Sequence, residues 1–241
     1  VGVMDSEKLD QTFIQALEQL LGANPLVLYR MESGRIVGRS REFDALLTRY
    51  AHLDGPLFDL VGKLTERPCW RLIGDSARDR VEVYDGTLYF SDLWFRDRGV
   101  DAVVEEAVEA TRSGYLGMKF KVGRGWKWMP KAEGLRRDID ILAAVRKAVG
   151  AGPKILADAN NGYRADFEGA WSLMSDTREV NLFWMEEIFP DDRNNYIKLR
   201  KRLTDAGIKT LIAEGESVRH VAEFRPLLEP TPVVDVTQMD I

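Results

Sequence analysis

Cysteine and histidine are almost missing from this sequence. Among 241 residues there are one cysteine, Cys69, and two histidines, His52 and His220. A single cysteine excludes an intrachain disulfide and fits a reducing compartment, so a cytoplasmic location is expected. The two histidines match no metal-ligand spacing and are expected to be structural or solvent-exposed. No run of about 20 apolar residues occurs, which excludes a membrane-spanning helix of ordinary composition. The start, Val1-Gly2-Val3-Met4, shows no charged stretch followed by an apolar one, so it does not read as a secretory leader. There is no basic surplus either. The net charge is −5 and the lysines and arginines form no single tract, which argues against nucleic acid as a partner. What remains is a chain of 45% hydrophobic and 30% charged residues, enough to bury a large core.

Up to about residue 75 the pattern is mostly helical. Ser6 is placed to cap a helix with Leu9, Phe13, Leu17, Leu20 and Leu21 on one face, stopped by Gly22. A second helix is expected from Arg41 to His52, and a third with Pro56 in its first turn. Strand character occurs around Leu26–Arg30. From about residue 80, short apolar strands alternate with amphipathic helices. The strands are expected at Val81–Phe90, Met118–Val122, Ile155–Asp158, Leu182–Glu186, Thr210–Ala213 and Val233–Val236. Helices are expected at Val100–Ser113, Leu135–Val149, Phe167–Ser175, Tyr196–Ala206 and Val218–Leu228. This alternation implies right-handed βαβ units around a parallel sheet, either open and doubly wound or most of an eight-stranded barrel. The glycine run Val122-Gly123-Arg124-Gly125 lacks the third glycine of a dinucleotide fingerprint, so that fold is weakly supported.

In a parallel α/β architecture the chemistry sits at the C-terminal strand ends. Three consecutive expected strands run into acids there: Asp158, Glu186 and Glu216. One such acid is often a helix cap or a surface charge. Three on neighbouring strands converge, repel one another and call for a divalent cation, and all-oxygen ligation suits Mg²⁺. The strand before them carries Lys119-Phe120-Lys121. Side chains alternate along a strand, so the lysines share one face and Phe120 takes the other. An internal parallel strand is normally apolar throughout, so two lysines in it need a reason. Two ammonium groups pointing into a barrel are expected to depress each other's pKa towards the range of a general base.

These residues resemble the mandelate racemase and muconate lactonizing branch of the enolase superfamily. The likeness rests on Lys119-Phe120-Lys121, Asp158-Ala159-Asn160, Trp184-Met185-Glu186-Glu187 and Ala213-Glu214-Gly215-Glu216. Asp240, in Gln238-Met239-Asp240, is similar to the family's acid at the end of the sixth barrel strand. The stretch from Leu72 to Tyr84 is similar to the family's approach to the barrel. The resemblance implies a modified (β/α) TIM-type barrel, here with about six strands, and an N-terminal α+β capping domain that closes over the substrate. It places the capping domain at residues 1–78 and the barrel at 79–241. It implies metal ligation by Asp158, Glu186 and Glu216, and Lys121 as the acid/base that moves the α-proton. Lys119 would tune Lys121 or touch the substrate carboxylate, and Asn160 would contact substrate or the metal site. The pairing of a lysine base with Mg²⁺ on an ene-diolate belongs to the superfamily and is taken from it. A homo-oligomer acting on a small carboxylate is the implied assembly.

Some positions depart from the family pattern. Ile188 stands where a proline often follows the fourth-strand ligand, and Glu187 competes with Glu186 for the ligand role. The stretch from Arg124 to Pro130 lengthens the loop after the lysine strand. Its two tryptophans, Trp126 and Trp128, either cover the site, form an oligomer contact or simply anchor the loop. In the mandelate racemase subgroup an acid like Asp240 orients a histidine on the next strand. Neither histidine here matches that place. The chain is accordingly expected to belong to a protein of roughly 350–400 residues, a full barrel plus a cap. The expected reaction is Mg²⁺-dependent abstraction of a proton beside a carboxylate, leading to dehydration of an acid sugar or related hydroxy acid. A racemase or epimerase, a cycloisomerase and a non-catalytic barrel relative are the alternatives.

Overall fold

The computed structural model describes residues 11–74, 78, 80–190, 192–218 and 221–238. The chain divides into two compact units between Val81 and Glu82.

Among the described residues, the first unit contains four α-helices and one hairpin. Helices α1 (Gln11–Leu20), α2 (Asp44–Arg49), α3 (Asp54–Leu64) and α4 (Cys69–Ile73) flank the antiparallel strands β1 (Tyr29–Glu32) and β2 (Arg35–Arg39). The strands are joined by Ser33-Gly34, both at positive φ, which is the backbone a two-residue hairpin turn requires. The helix expected at Arg41–His52 is split into α2 and a 3₁₀ turn at Ala51–Leu53. Leu28, Tyr29, Phe43, Leu47, Val61 and Leu72 form the core. Tyr29 donates to Asp54 Oδ1 at 2.7 Å, and Arg39 pairs with the same carboxylate. His52 packs its ring 5.3 Å from that of Phe13, a structural role. Ser6 and Leu9 lie outside the described residues.

The second unit is a six-stranded, all-parallel sheet in chain order. Its strands are β3 (Asp85–Leu88), β4 (Gly117–Lys121), β5 (Lys154–Asp158), β6 (Trp184–Glu186), β7 (Leu211–Glu214) and β8 (Val236–Thr237). Helices α5 (Ser91–Trp94), α6 (Val100–Arg112), α7 (Arg124–Lys127), α8 (Lys131–Val149), α9 (Phe167–Asp176), α10 (Arg193–Asp205) and α11 (Arg225–Leu228) lie between them. A doubly wound sheet reverses its strand order at a switch point. Here the order never reverses, which is the arrangement of a partial (β/α) barrel.

Alternate residues on each strand sort into two sets. Met118, Phe120, Ile155, Ala157, Met185 and Ile212 pack into one core with Val103 and Ala107 of α6 and Ile141, Leu142 and Val145 of α8. Lys119 and Lys121 take the opposite face, as the alternation of side chains requires. Some expectations for this unit differ from the structure. The strand expected at Val233–Val236 shares only Val236 with β8. The strand expected at Val81–Phe90 is only β3, and the helix expected at Val218–Leu228 is a 3₁₀ turn at Val221–Phe224 followed by α11. Pro226 at the second position of α11 has no N–H to continue the earlier turn as an α-helix.

Candidate active site and metal centre

The strand register builds the site. Lys121 pairs with Asp158 across β4 and β5, and Asp158 pairs with Glu186 across β5 and β6. Register partners face the same side of a sheet, so a lysine and two acids form one row. Glu186 is in register with Ala213 on β7, so the row's next place holds a methyl group. The third acid arrives by another route. Glu216 lies in a turn two residues beyond β7 and not at the strand end. Gly215, at φ +110°, makes that turn. A Cβ at Gly215 would fall 2.2 Å from the Phe224 ring and 2.9 Å from the Gln238 carbonyl oxygen. Glu214, the true last residue of β7, points the other way and accepts from the Tyr196 hydroxyl on α10.

One carboxylate oxygen from each of Asp158, Glu186 and Glu216 lies within 4.8 Å of the others. Asp158 and Glu186 are fully buried and Glu216 is exposed. Lys119 Nζ donates to Glu186 Oε1 at 2.7 Å and lies 3.2 Å from Asp158 Oδ2. Lys121 Nζ donates to Asp158 Oδ2 at 2.5 Å and to Asn160 Oδ1 at 2.6 Å. The second oxygen of Glu186 accepts from Trp184 Nε1 and Gln238 Nε2, each at 3.1 Å. Glu187, the rival ligand, lies outside the triad and accepts from Asn160 Nδ2 at 3.0 Å.

The backbone is bent sharply at these strand ends. Asn160, Asn161 and Glu187 all have positive φ, at 41°, 61° and 43°. Asparagine tolerates this region and glutamate does so at a cost, and such strain concentrates at functional sites. The bends are held by Asn161 N–H donating to the Glu187 carbonyl at 2.7 Å and by Asn160 N–H donating to Asp158 Oδ1 at 2.9 Å.

The electrostatics follow from crowding. Burial pushes the Glu186 carboxyl up, the Asp158 charge pushes it further, and the Lys119 hydrogen bond opposes both. Glu187 is also raised, chiefly by burial. For Lys119, burial acts downward, yet the hydrogen bond to Glu186 and the charges of Asp158 and Glu186 outweigh it and hold the ammonium above its ordinary range. Mutual depression of the two lysines is therefore not what sets Lys119. The nearby carboxylates dominate the second ammonium.

The donor set fits a hard dication. It is all oxygen, it comes from two neighbouring strand ends and the turn after a third strand, and it leaves one side open to solvent through Glu216. Four acids (Asp158, Glu186, Glu187, Glu216) face two ammonium groups, an imbalance of two negative charges that one divalent cation would cancel.

A cavity of about 430 Å³ opens over the lysines, lined also by Tyr84, Tyr89, Glu186, Glu216, Thr237 and Gln238. The Tyr84 and Tyr89 rings sit 5.9 and 5.4 Å from Lys119 and Lys121 Nζ. Asp240 and His220 lie outside the described residues. Trp126 stacks under Arg164 at 4.1 Å, and Trp128 lies 5.9 Å from Phe90, both rings remaining half-exposed.

Sequence reasoning missed Tyr89 and a buried ion network behind β4. For Tyr89 there was no periodic signal. For the network there was one. Asp138 interrupts the apolar stripe Leu135, Ile141, Leu142 and Val145 of α8, and a charge on a core-facing stripe needs a partner.

Residues 102–241 match the family described as Enolase C-terminal domain-like. The chain belongs to that family. It lies within the mandelate racemase and muconate lactonizing group of the enolase superfamily. Arabinonate dehydratase of Saccharolobus solfataricus is 29% identical over 189 residues, covering 78% of this chain and 45% of that protein. A galacturonate dehydratase from Geobacillus sp., solved with D-galacturonate and 5-keto-4-deoxy-D-galacturonate, superposes with a TM-score of 0.76 at 32% identity, over 93% of this chain and 57% of that one. A mandelate racemase/muconate lactonizing protein from Geobacillus sp. Y412MC10, solved with magnesium and tartrate, gives a TM-score of 0.76 at 30% identity, over 97% and 58%. This chain spans about half the length of the relatives it matches.

Proposed function

We propose that this chain carries the metal-binding and base-bearing part of an acid-sugar dehydratase. The observation that carries this reading is the convergence of Lys121 Nζ with Asp158, Glu186 and Glu216 at the open end of one sheet. Asp158, Glu186 and Glu216 would hold Mg²⁺, which when bound supplies positive charge to a substrate carboxylate as negative charge develops there.

The chain's own residues account for the rest of the first half-reaction. Lys121, in its neutral form, takes the proton from the carbon beside the substrate carboxylate. Asn160 holds Lys121 from one side and leaves the other facing the cavity. Lys119, kept charged by Glu186 and Asp158, serves as a fixed positive group beside the ene-diolate and not as a second base. Loss of the neighbouring hydroxyl with one proton then releases water, and the resulting enol becomes a 2-keto acid. The two sugar acids named for the Geobacillus complex are related by loss of one water, the same net change. Asp240 is proposed to assist the second half-reaction.

The test is ¹H NMR in D₂O with Mg²⁺, using the protein as encoded and arabinonate, gluconate and D-galacturonate in turn. A keto-deoxy product carrying deuterium at the former β-carbon, where the enol takes up a solvent deuteron, is expected for at least one acid, and it should vanish in Lys121→Ala. Exchange without net dehydration would replace this reading by epimerisation. Wild-type exchange in Lys121→Ala would remove Lys121 from its role.

A further inference from the structure

A second set of fully buried charges in the second unit does not face the cavity. They lie behind it. Arg124 has no exposed surface, and the side chains of Asp92 and Asp138 are equally enclosed. Arg124 donates through Nη2 to Asp92 Oδ1 at 2.7 Å and through Nη1 to Asp138 Oδ1 at 2.7 Å. The same Nη1 donates to the backbone carbonyl of Lys121 at 3.0 Å. Asp138 Oδ2 accepts from the Gly123 N–H at 2.7 Å and from the Tyr163 hydroxyl at 2.8 Å.

Stability does not account for this arrangement. A buried ion network loses the hydration of every charge in it, and apolar side chains of the same volume often serve a core as well. The network's specific content is geometric. β4 ends at Lys121, whose peptide is held on both sides: its N–H, on Val122, donates to the Asp158 carbonyl at 2.8 Å, and Arg124 holds the Lys121 carbonyl. It ties that carbonyl to the segment after β3 through Asp92, to α8 through Asp138 and, through Asp138, to the segment after β5 carrying Tyr163. The planar guanidinium presents its donors in a fixed fork, so the three acceptors cannot shift independently.

We propose that Arg124 is a positioning residue for Lys121. By holding the carbonyl of the last ladder peptide, opposite the N–H that β5 holds, it sets the direction in which the lysine side chain enters the site. The inference rests on Lys121 being the base. A flexible four-carbon stem magnifies a small backbone rotation at its tip, and a displacement of about 1 Å costs on the order of 10²-fold in rate.

The experiment compares Arg124→Lys, Asp92→Asn and Lys121→Ala in the Mg²⁺-loaded protein as encoded, using α-proton exchange on the acid sugar that the wild type turns over. Arg124→Lys keeps the charge and loses the fork. Its kcat is expected to fall about 10²-fold. Its KM should move less than about threefold, with Mg²⁺ affinity by calorimetry close to wild type, while the thermal midpoint falls because a buried network has lost its fork. Asp92→Asn keeps the Arg124 contact with the Lys121 carbonyl and should show the same split at smaller amplitude. If Arg124→Lys does not fold, Asp92→Asn decides alone. Wild-type kcat in a folded Arg124→Lys, or in Asp92→Asn where the lysine variant does not fold, overturns the inference. So does a fall of kcat matched by an equal fall of Mg²⁺ affinity in the folded variant, which marks a general disturbance of the site rather than a role in placing Lys121. Lys121→Ala separates the two levels. Exchange retained in that variant defeats the assignment of the base, whereas exchange lost there but unchanged in the other two defeats only the role of Arg124.

Discussion

Lys121 donates to the amide oxygen of Asn160 at 2.6 Å, and that bond settles which way the amide faces. With Oδ1 committed to an ammonium, Nδ2 is left for the Glu187 carboxylate at 3.0 Å. Asn160 thus separates a buried acid from the proposed base.

Asn160→Leu removes both bonds. It leaves Glu187 buried without its amide donor and frees the Lys121 ammonium to pair more closely with Asp158. The expected result is a fall in exchange rate of about 10–10²-fold, with Mg²⁺ affinity nearly unchanged. Calorimetry and NMR exchange on the same preparation check it. A rate within twofold of wild type would strip Asn160 of any part in holding Lys121.

Metal binding should follow the triad and ignore the neighbouring acid. Mg²⁺ at about 100 times its dissociation constant should stabilise the wild type by about 2.7 kcal/mol, read as a rise in melting temperature. Glu186→Gln and Glu216→Gln should abolish most of that rise. Glu214→Gln should keep it while lowering the starting midpoint, because Glu214 faces α10 and Tyr196. A Glu214→Gln variant that loses the Mg²⁺ response would mean the third ligand has been misassigned.

Gly215→Ala tests the turn without touching a ligand. The new methyl group would need space held by Phe224 and the Gln238 carbonyl, in a backbone region that alanine resists. A loss of stability of about 1–3 kcal/mol is expected, together with weaker Mg²⁺ binding as Glu216 is displaced. Unchanged Mg²⁺ affinity by calorimetry would show that Glu216 reaches the triad by some other path.

Alkaline titration offers a check on burial in each unit. Burial, with Asp54 beside it, pushes the Tyr29 phenol up, and burial with the Asp138 charge does the same for Tyr163. Both hold their proton more tightly folded than unfolded, where the value is 10.0. Their contribution to stability is therefore complete below pH 10 and is lost as the pH rises above it. Phenolate absorbance should show fewer than the seven tyrosines ionising before the fold is lost. Smooth ionisation of all seven in a folded protein would contradict the burial of these two.

Much of the barrel was legible because its signals are local and periodic. The row of Lys121, Asp158 and Glu186 follows from alternation along three strands and the parallel register between them. Glu216 was found through its motif, but its path was not, because a turn with positive φ leaves no periodic trace. The charge state of Lys119 was misjudged for a related reason. The sequence shows the second lysine two residues away, while the decisive carboxylates come from other strands. The break at Val218–Leu228 was hidden as well, since its apolar spacing suits a helix and only Pro226 hints otherwise.

The alternation along the strands has a consequence for how this chain tolerates change. On β4 Met118 and Phe120 are core while Lys119 and Lys121 face the site, and on β5 Ile155 and Ala157 are core while Asp158 faces the site. A saturation scan of these seven positions should therefore split by the face each side chain takes. One class of variants would fail to accumulate, and the class between them would accumulate well and do nothing. Drift in the reaction and drift in the scaffold thus draw on different letters of the same short segments, so catalysis can be lost or redirected here without the barrel registering the change.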